Sequence, residues 1–322
     1  MSTILDYAVS ARGLVKRYGE VVALDHLDLE VPAGSVLGLL GPNGAGKTTA
    51  VSILTTLTNA DEGSAVVAGI DIAKDPQSVR ARIGLSGQYA AVDENLTAME
   101  NLEMFGRLYG MSRKEARARG DELIEQFRLT DAASRSLKTF SGGMRRRIDL
   151  AAALIANPPV LFLDEPTTGL DPRSRGELWD TIRQRVAQGT TVLLTTQYLE
   201  EADQLANRIV VIDRGRAIAE GTSDELKRRV GGEHLDVHVK NHFDIAKAES
   251  VLKSVATGPM RVEVSNGELS IPVGSGIEAL RGVLRELEAE GVEILDIGLR
   301  RPTLDDVFME LTGHTTSAEE ST

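Results

Sequence analysis

The stretch that decides the fold is Gly41-Pro42-Asn43-Gly44-Ala45-Gly46-Lys47-Thr48-Thr49, a G-x-x-x-x-G-K-T phosphate loop. The apolar run at residues 36–40 leads into it as a predicted strand, and residues 49–54 lead out of it as a predicted helix. Glycines let backbone N–H groups surround a β-phosphate, and the helix N-terminus adds positive potential. We expect Lys47 to bind the β- and γ-phosphate oxygens of a triphosphate such as ATP, and Thr48 to bind Mg²⁺. The alternative, a glycine-rich turn with a surface lysine, is disfavoured by this strand–loop–helix order.

A second apolar run, Val160-Leu161-Phe162-Leu163, ends in two carboxylates, Asp164 and Glu165. Such a run predicts a buried parallel strand, and ligands of open α/β sheets lie beyond the carboxyl ends of the strands. We expect Asp164 to hold Mg²⁺, directly or through water, and Glu165 to orient the attacking water. Taken alone, the pair could equally be an acidic turn after a strand; the phosphate loop upstream favours a nucleotide site.

Three further motifs resemble those of the ATP-binding subunits of ABC transporters, and the resemblance covers about residues 5–230. Ser141-Gly142-Gly143-Met144 is similar to the family signature, Gln88 to the Q-loop glutamine, and Gly169-Leu170-Asp171 to the D-loop. Met144 departs from the glutamine that most members carry. Residues 195–203 and 302–308 resemble one branch, the daunorubicin-resistance-type exporter ATPases.

The resemblance implies an α/β fold, a P-loop NTPase ABC cassette with a mixed sheet core and a helical signature subdomain at about residues 96–156. It also implies a head-to-tail homodimer with two ATP molecules at the interface. Ser141 and the backbone N–H groups of Gly142 and Gly143 would then face the γ-phosphate held by the partner subunit, and Asp171 would lie at the same interface. From the residues alone, Ser141 could equally be an ordinary N-cap of a helix over residues 142–155.

Two single residues gain a role from the same resemblance. Tyr18 matches the aromatic residue that stacks on adenine, an interaction worth about 1–3 kcal/mol; a tyrosine beside a turn is the alternative. Gln88 follows a predicted short strand at residues 83–87, and its amide would contact Mg²⁺ or the attacking water. In the family, the following segment, residues 89–108, contacts the membrane partner. Without the resemblance, Gln88 is a polar loop residue.

Gln197 stands where most members of the family have a histidine that contacts the γ-phosphate. A glutamine amide can donate to phosphate but cannot carry a proton, so Glu165 remains as the candidate base. Glutamine at this position is also similar to the daunorubicin-type branch. We therefore expect a modified catalytic site that retains activity.

Composition indicates a soluble, intracellular chain of two domains, because 322 residues exceed the roughly 100–200 of a single domain. The absence of cysteine excludes disulfides and thiolate metal sites. The N-terminus does not resemble a signal peptide, and no apolar stretch approaches the roughly 20 residues of a membrane span. We expect a peripheral protein on the cytoplasmic face of the membrane, attached through an integral membrane permease.

Charge argues against polynucleotide partners. The net charge is −12, and residues 231–322 contribute 17 Asp and Glu against 8 Lys and Arg. So acidic a chain lacks the positive field that nonspecific nucleic-acid binding requires. The one basic run, Arg145-Arg146-Arg147, is expected to form a solvated and partly salt-bridged helix face.

Gly231-Gly232 is interpreted as a hinge between a nucleotide-binding domain at 1–230 and an accessory or regulatory domain at 231–313, with a disordered tail at 314–322. The predicted order in the second domain, βαββαβ, is typical of an α+β ferredoxin-like fold. Its last helix follows a capping box of Thr303 and Asp306. Strand alternation places His234 and His238 together on the solvent face, too far apart to share a metal easily.

We therefore expect an ATP-hydrolysing subunit of an exporter of hydrophobic drug-like or lipid substrates, which do not contact this chain. An importer ATPase is the alternative within transport. A non-transport regulatory ATPase acting on ribosomes is expected to carry two cassettes, and a chromosome-maintenance ATPase a long coiled coil. The sequence has neither feature.

Overall fold

The computed structural model describes residues 7–88, 91–229 and 232–312. The chain divides into two compact units, Met1–Ser223 and Asp224–Thr322. This division lies slightly before the predicted boundary at residues 230 and 231. Gly231 of the predicted hinge, Gly313 and the predicted disordered tail lie outside the described residues.

Two sheets form the first unit. Their strands are β1 (Tyr7–Tyr18), β2 (Val21–Pro32), β3 (Val36–Leu40), β4 (Glu62–Val67), β5 (Ile70–Asp71), β6 (Ile83–Ser86), β7 (Val160–Asp164), β8 (Thr191–Thr196), β9 (Arg208–Asp213) and β10 (Arg216–Gly221). One sheet is antiparallel, in the order β2-β1-β4-β5. The other has the order β10-β9-β3-β8-β7-β6, and it is parallel except for β10. This is the mixed sheet architecture expected from the sequence.

The central strands β3, β7 and β8 are buried along their whole length, which explains their continuous apolar sequences. The first two begin where the sequence predicted. Their carboxyl ends all lie at one edge of the sheet, because parallel strands run in the same direction. Residues that follow these three strands are therefore brought close together.

The helices of the first unit are α1 (Lys47–Leu54), α2 (Pro76–Arg80), α3 (Ala98–Leu108), α4 (Arg113–Gln126), α5 (Gly142–Ala153), α6 (Pro172–Ala187) and α7 (Leu199–Leu205). The next helix, α8 (Ser223–Arg229), begins at the last residue of the first unit. Capping boxes begin two of them, Thr97 with Glu100 at α3 and Ser112 with Glu115 at α4. Helices α3, α4 and α5 pack around one apolar cluster and form the helical subdomain.

The second unit has the elements β11 (His234–Val239), α9 (Ile245–Lys253), β12 (Arg261–Glu263), β13 (Glu268–Pro272), α10 (Gly276–Ala289), β14 (Ile294–Arg300) and α11 (Leu304–Thr312). Its antiparallel sheet has the order β12-β13-β11-β14. The βαββαβ order is therefore present. The predicted capping box is also found: Thr303 N donates to Asp306 Oδ2 over 2.8 Å, and Asp306 N donates to Thr303 Oγ1 over 3.4 Å.

The predicted solvent exposure of His234 is wrong, because its side chain is buried. Alternation in β11 correctly places Leu235 and Val237 in the core. However, α11 lies over the opposite face of the sheet near His234, and Arg300 joins Asp236 on that face to Asp306 of α11. Burial lowers the pKa of His234, although the Asp306 carboxylate opposes this effect. An alternating pattern identifies one covered face and cannot show that a later helix covers the other.

Candidate nucleotide site

The phosphate loop connects β3 to α1 as the motif requires. Gly46 is the N-cap of α1 and has a φ of 106°, a left-handed conformation that favours glycine. A Cβ atom at this position would clash with the carbonyl oxygen of Ala23 and with Leu24 in β2. Strand β2 therefore packs directly against the loop, and only glycine fits at the contact.

Lys47 and Glu165 meet inside the protein. The Lys47 ammonium donates to the carbonyl oxygens of Gly41, at 2.8 Å, and Pro42, at 3.1 Å. It also lies 3.3 Å from Glu165 Oε1, and the two side chains are only 4% and 7% exposed. A buried charge requires such partners, since an isolated one is costly to remove from water. The fold thus brings the phosphate-loop lysine and the second strand-end carboxylate to one place.

Thr195 fixes both carboxylate residues at the end of β7. Its hydroxyl donates to Asp164 Oδ1. Glu165 N donates to the carbonyl and the hydroxyl oxygens of Thr195, each at 3.1 Å. The backbone of Glu165 adopts a left-handed φ of 50°, which turns the chain sharply after the strand. Sequence reasoning missed Thr195; the available signal was a hydroxyl residue near the carboxyl end of an apolar strand.

The signature and the D-loop lie together and border one cavity with Gln88. A cavity of about 460 Å³ is lined by Gln88, Gly142, Arg145, Thr168 and Gly169, among others. Within the described chain, no hydrogen bond or ion pair joins residues 141–144 to Lys47 or Glu165. The phosphate loop (residues 41–49) and the signature (residues 141–144) of one chain are therefore not in direct polar contact.

Both cap residues in this area are exposed and hold a helix N-terminus. Ser141 Oγ accepts from Met144 N over 3.3 Å at the start of α5. Asp171 accepts from Ser174 N over 3.0 Å and from the Ser174 hydroxyl over 2.6 Å at the start of α6. These hydrogen bonds, led by that from the hydroxyl, lower the pKa of Asp171. Ser141 is thus the N-cap of α5, which is the alternative that the residues alone predicted.

The remaining predicted residues surround the phosphate loop or the strand ends. Tyr18 is 52% exposed at the end of β1, with Lys16 Nζ 5.5 Å from its ring centre. Thr48 is exposed in the first turn of α1. Gln197 is partly buried and follows β8 directly, two residues after Thr195.

The expectation that the whole Arg145–Arg147 run is solvated is wrong for Arg146. Arg146 is only 8% exposed. Its guanidinium contacts backbone carbonyls beside Glu165 and Gln88, and burial lowers its pKa. A run of equal charges does not show which arginine is buried, because successive residues of a helix point in different directions.

Comparison with known proteins agrees with this geometry. The sequence model of the family described as "ABC transporter" matches residues 24–168, and that described as "ATP-binding protein DrrA1-3-like, C-terminal domain" matches residues 221–312. The chain is 59% identical to the daunorubicin resistance ATP-binding protein DrrA2 of Streptomyces coeruleorubidus, over 98% of both chains. It is 50% identical to the daunorubicin/doxorubicin resistance ATP-binding protein DrrA of Streptomyces peucetius, over 98% of this chain and 95% of that one.

Solved structures show the same cassette. The ATP-binding cassette MJ0796, in a dimeric post-hydrolysis state bound to ADP and Pi, aligns with 66% of this chain and 98% of its own. The TM-score is 0.61 and the identity 27%. The chain therefore belongs to the ABC transporter ATP-binding proteins, and it is an ATP-binding and ATP-hydrolysing subunit. Within this family it is a close relative of the DrrA-type resistance proteins, which places it among exporter ATPases and not importer ATPases.

Proposed function

We propose that the chain hydrolyses Mg-ATP as a homodimer on the cytoplasmic face of the membrane, and that it drives export through a separate membrane permease. The observation that carries this proposal is the buried contact of 3.3 Å between Lys47 and Glu165. A phosphate-binding cation and a carboxylate so close together suit the γ-phosphate and the water that attacks it.

The roles of the residues follow from their chemistry. The loop from Gly41 to Thr49 would bind the phosphates through backbone N–H groups and Lys47. Glu165 would orient the attacking water, and Gln197 would donate an amide N–H to the γ-phosphate. Tyr18 would stack on adenine, since the β1–β2 hairpin to which it belongs packs against the phosphate loop.

The donor set near the strand ends fits magnesium. Asp164 offers a carboxylate, Thr48 a hydroxyl and Gln88 an amide oxygen, and Mg²⁺ prefers oxygen ligands. The Thr195 hydroxyl occupies one carboxylate oxygen of Asp164, so the other can accept a cation or a water molecule bound to it. The metal would supply charge neutralisation for the phosphates.

A homodimer accounts for the separation of the phosphate loop from the signature within one chain. Ser141, Gly142 and Asp171 are exposed, and the α5 N-terminus offers N–H groups to an anion. We propose that these groups complete the site of a partner subunit. The relative MJ0796 is dimeric, which supports this arrangement.

We propose that the permease supplies the membrane attachment. None of the helices in residues 7–88, 91–229 and 232–312 combines the length and apolar character that a membrane crossing needs. We propose that residues 91–108 belong to the contact with the permease and that the cargo, a hydrophobic drug-like or lipid compound, does not touch this chain. The names of the relatives, which include resistance to daunorubicin and doxorubicin, support this substrate class. The domains would be 1–230 for ATP and 231–313 for accessory contacts.

Copurification tests the proposal. The tagged chain, expressed with the membrane protein encoded beside it, should retain that protein in detergent and hydrolyse ATP. Daunorubicin should stimulate this hydrolysis in reconstituted vesicles, and a Glu165→Gln complex should assemble but remain inactive. Recovery of the chain without any membrane protein, or full hydrolysis by Glu165→Gln, would contradict the proposal.

A further inference from the structure

The buried side chain of Arg146 connects α5 to both parts of the catalytic edge. Its Nε donates to the carbonyl of Pro166 over 2.7 Å, and its Nη2 lies 3.3 Å from the carbonyls of Asp164 and Glu165. Its Nη1 donates to the carbonyl of Gly87. The planar guanidinium group of Arg146 thus binds the backbone on each side of the turn at Glu165. It also binds the backbone just before Gln88.

Asp149, one turn further along α5, supports the same connection from its other side. Its Oδ2 lies 3.5 Å from Arg146 Nη1 and accepts from the Ser86 hydroxyl over 2.6 Å. Its Oδ1 accepts from Ala91 N over 2.7 Å. Arg146 and Asp149 therefore hold the chain before and after Gln88. The Asp149 carboxylate is 3% exposed. The charges of Asp149 and Arg146 therefore compensate each other inside the protein.

The backbone of Glu165 is held on both sides as a result. Its N–H is bonded to Thr195, and its carbonyl is bonded to Arg146. A non-glycine residue keeps a left-handed φ only when its surroundings enforce it. Arg146 belongs to those surroundings, because it binds three consecutive carbonyls across the turn.

We propose that Arg146 and Asp149 are positioning residues that link the signature helix to Glu165 and to the Gln88 segment of the same chain. The proposal rests on the catalytic role proposed for Glu165. When α5 moves toward the ATP of a partner subunit, the link passes that movement to the carbonyl side of Glu165. Hydrolysis then depends on α5 through a buried side chain that binds the backbone of Glu165.

The test is steady-state ATP hydrolysis by the complex with its membrane partner, at a temperature where circular dichroism shows every variant to be folded. Arg146→Gln should lower kcat by about 10- to 100-fold, the effect of a small misplacement of a catalytic group. The KM for ATP should change far less, because the phosphate loop is intact. Arg146→Lys should restore only part of kcat, since an ammonium cannot reproduce the fork that binds carbonyls on both segments.

Asp149→Asn provides a milder change, because the amide oxygen can still accept from Ala91 N while the amide N–H can donate to the Ser86 hydroxyl oxygen. It should lower kcat by about 2- to 30-fold. The double variant Arg146→Gln/Asp149→Asn should lose less than the product of the two single losses, because the residues act as a unit. Arg185→Gln is the matched control: Arg185 is also buried, but it binds Gln126 and Gln188 away from the site. This control should lower thermal stability without lowering kcat.

The outcomes separate the two proposals. If Glu165→Gln is inactive while Arg146→Gln and Asp149→Asn keep the wild-type kcat, the positioning role is wrong and the proposed function stands. If Arg185→Gln lowers kcat as much as Arg146→Gln at a similar loss of thermal stability, the effect of Arg146 is merely structural and the inference is also wrong. Normal hydrolysis by Glu165→Gln would instead overturn the catalytic assignment itself.

Discussion

Gln197 follows β8 immediately after the buried residues Thr195 and Thr196, at the sheet edge that carries Asp164 and Glu165. Its amide offers two N–H donors and does not gain or lose a proton near neutral pH. With Asp164 proposed to hold Mg²⁺, Glu165 is the residue proposed as the base at this edge. The proposed catalytic burden then rests on the Glu165 carboxylate and on the backbone contacts that orient it.

Gln197→Ala should lower kcat more than it weakens ATP binding. The amide is proposed to donate to the γ-phosphate, where charge changes during transfer, whereas the phosphate loop supplies most ground-state binding. Hydrolysis by the purified complex and nucleotide titration would measure the two effects. Gln188→Ala, at the end of α6 and remote from the strand edge, is the control. An unchanged kcat in Gln197→Ala would remove this residue from the mechanism.

Individual motif residues were predictable because their chemistry is local. Lys47 and Glu165 were identified from the loop spacing and from a strand that ends in carboxylates, and the structure brings them together. Their catalytic roles stay predictions. The burial of Arg146 and His234 was not predictable, since each depends on a segment distant in the sequence, residues 164–166 in one case and α11 in the other.

Secondary-structure elements were predicted well where the sequence carries strong local signals. Apolar runs defined β3 and β7. The predicted helix over residues 142–155 ends at Ala153 instead. Its last residues are apolar and continue the pattern, but residues 154–156 form a turn and Asn157 adopts a left-handed φ of 48°.

Gly46→Ala should abolish ATP binding. The loop requires a φ of 106° at this position, and the added methyl group would displace β2 at Ala23. Equilibrium binding of a fluorescent ATP analogue measures the loss. Gly176→Ala is the matched control, because it lies within α6 with no atom within 4 Å of the new Cβ. That control should bind ATP normally and stabilise the protein by up to about 1 kcal/mol.

Asp306 should make the C-terminal unit sensitive to acid. Burial alone would raise its pKa, but hydrogen bonds from Arg300 and Thr303 N outweigh burial and lower the pKa to about 2. The folded value lies below the unfolded one. The stabilisation is therefore complete above about pH 4 and is lost as the pH falls through about 2.

Asp306→Asn should therefore destabilise the second unit by about 1 kcal/mol at pH 7, a figure below the full effect of the pKa shift because an asparagine oxygen can still accept a hydrogen bond. The difference from wild type should shrink at pH 3. Urea unfolding of the full chain, followed by hydrogen exchange in peptides covering 234–239 and 304–311, measures it. Asp305→Asn, which removes a neighbouring charge in the first turn of α11, is the control. An equal difference at both pH values would contradict the assignment.

At the scale of the whole molecule, we propose that one chain holds two incomplete sites. Lys47 and Glu165 form one of them, whereas Ser141 and Gly142 are exposed at the start of α5. The sequence alone could indicate this division only through its resemblance to a family, because no local pattern shows which surfaces meet. The link through Arg146 gives the two sites a physical connection inside each subunit.

Glu165→Gln should trap an ATP-bound dimer. The amide keeps the shape of the side chain but cannot accept a proton, so ATP would persist and hold the partner's α5 N-terminus against the γ-phosphate. Light scattering at saturating Mg-ATP should show a doubled mass, and removal of the nucleotide should restore the monomer. Adding Ser141→Arg should prevent dimerisation while leaving ATP binding intact, since a bulky side chain would separate the two surfaces. A monomeric Glu165→Gln protein at saturating Mg-ATP would count against a dimer held by nucleotide alone, and would shift that role to the membrane partner.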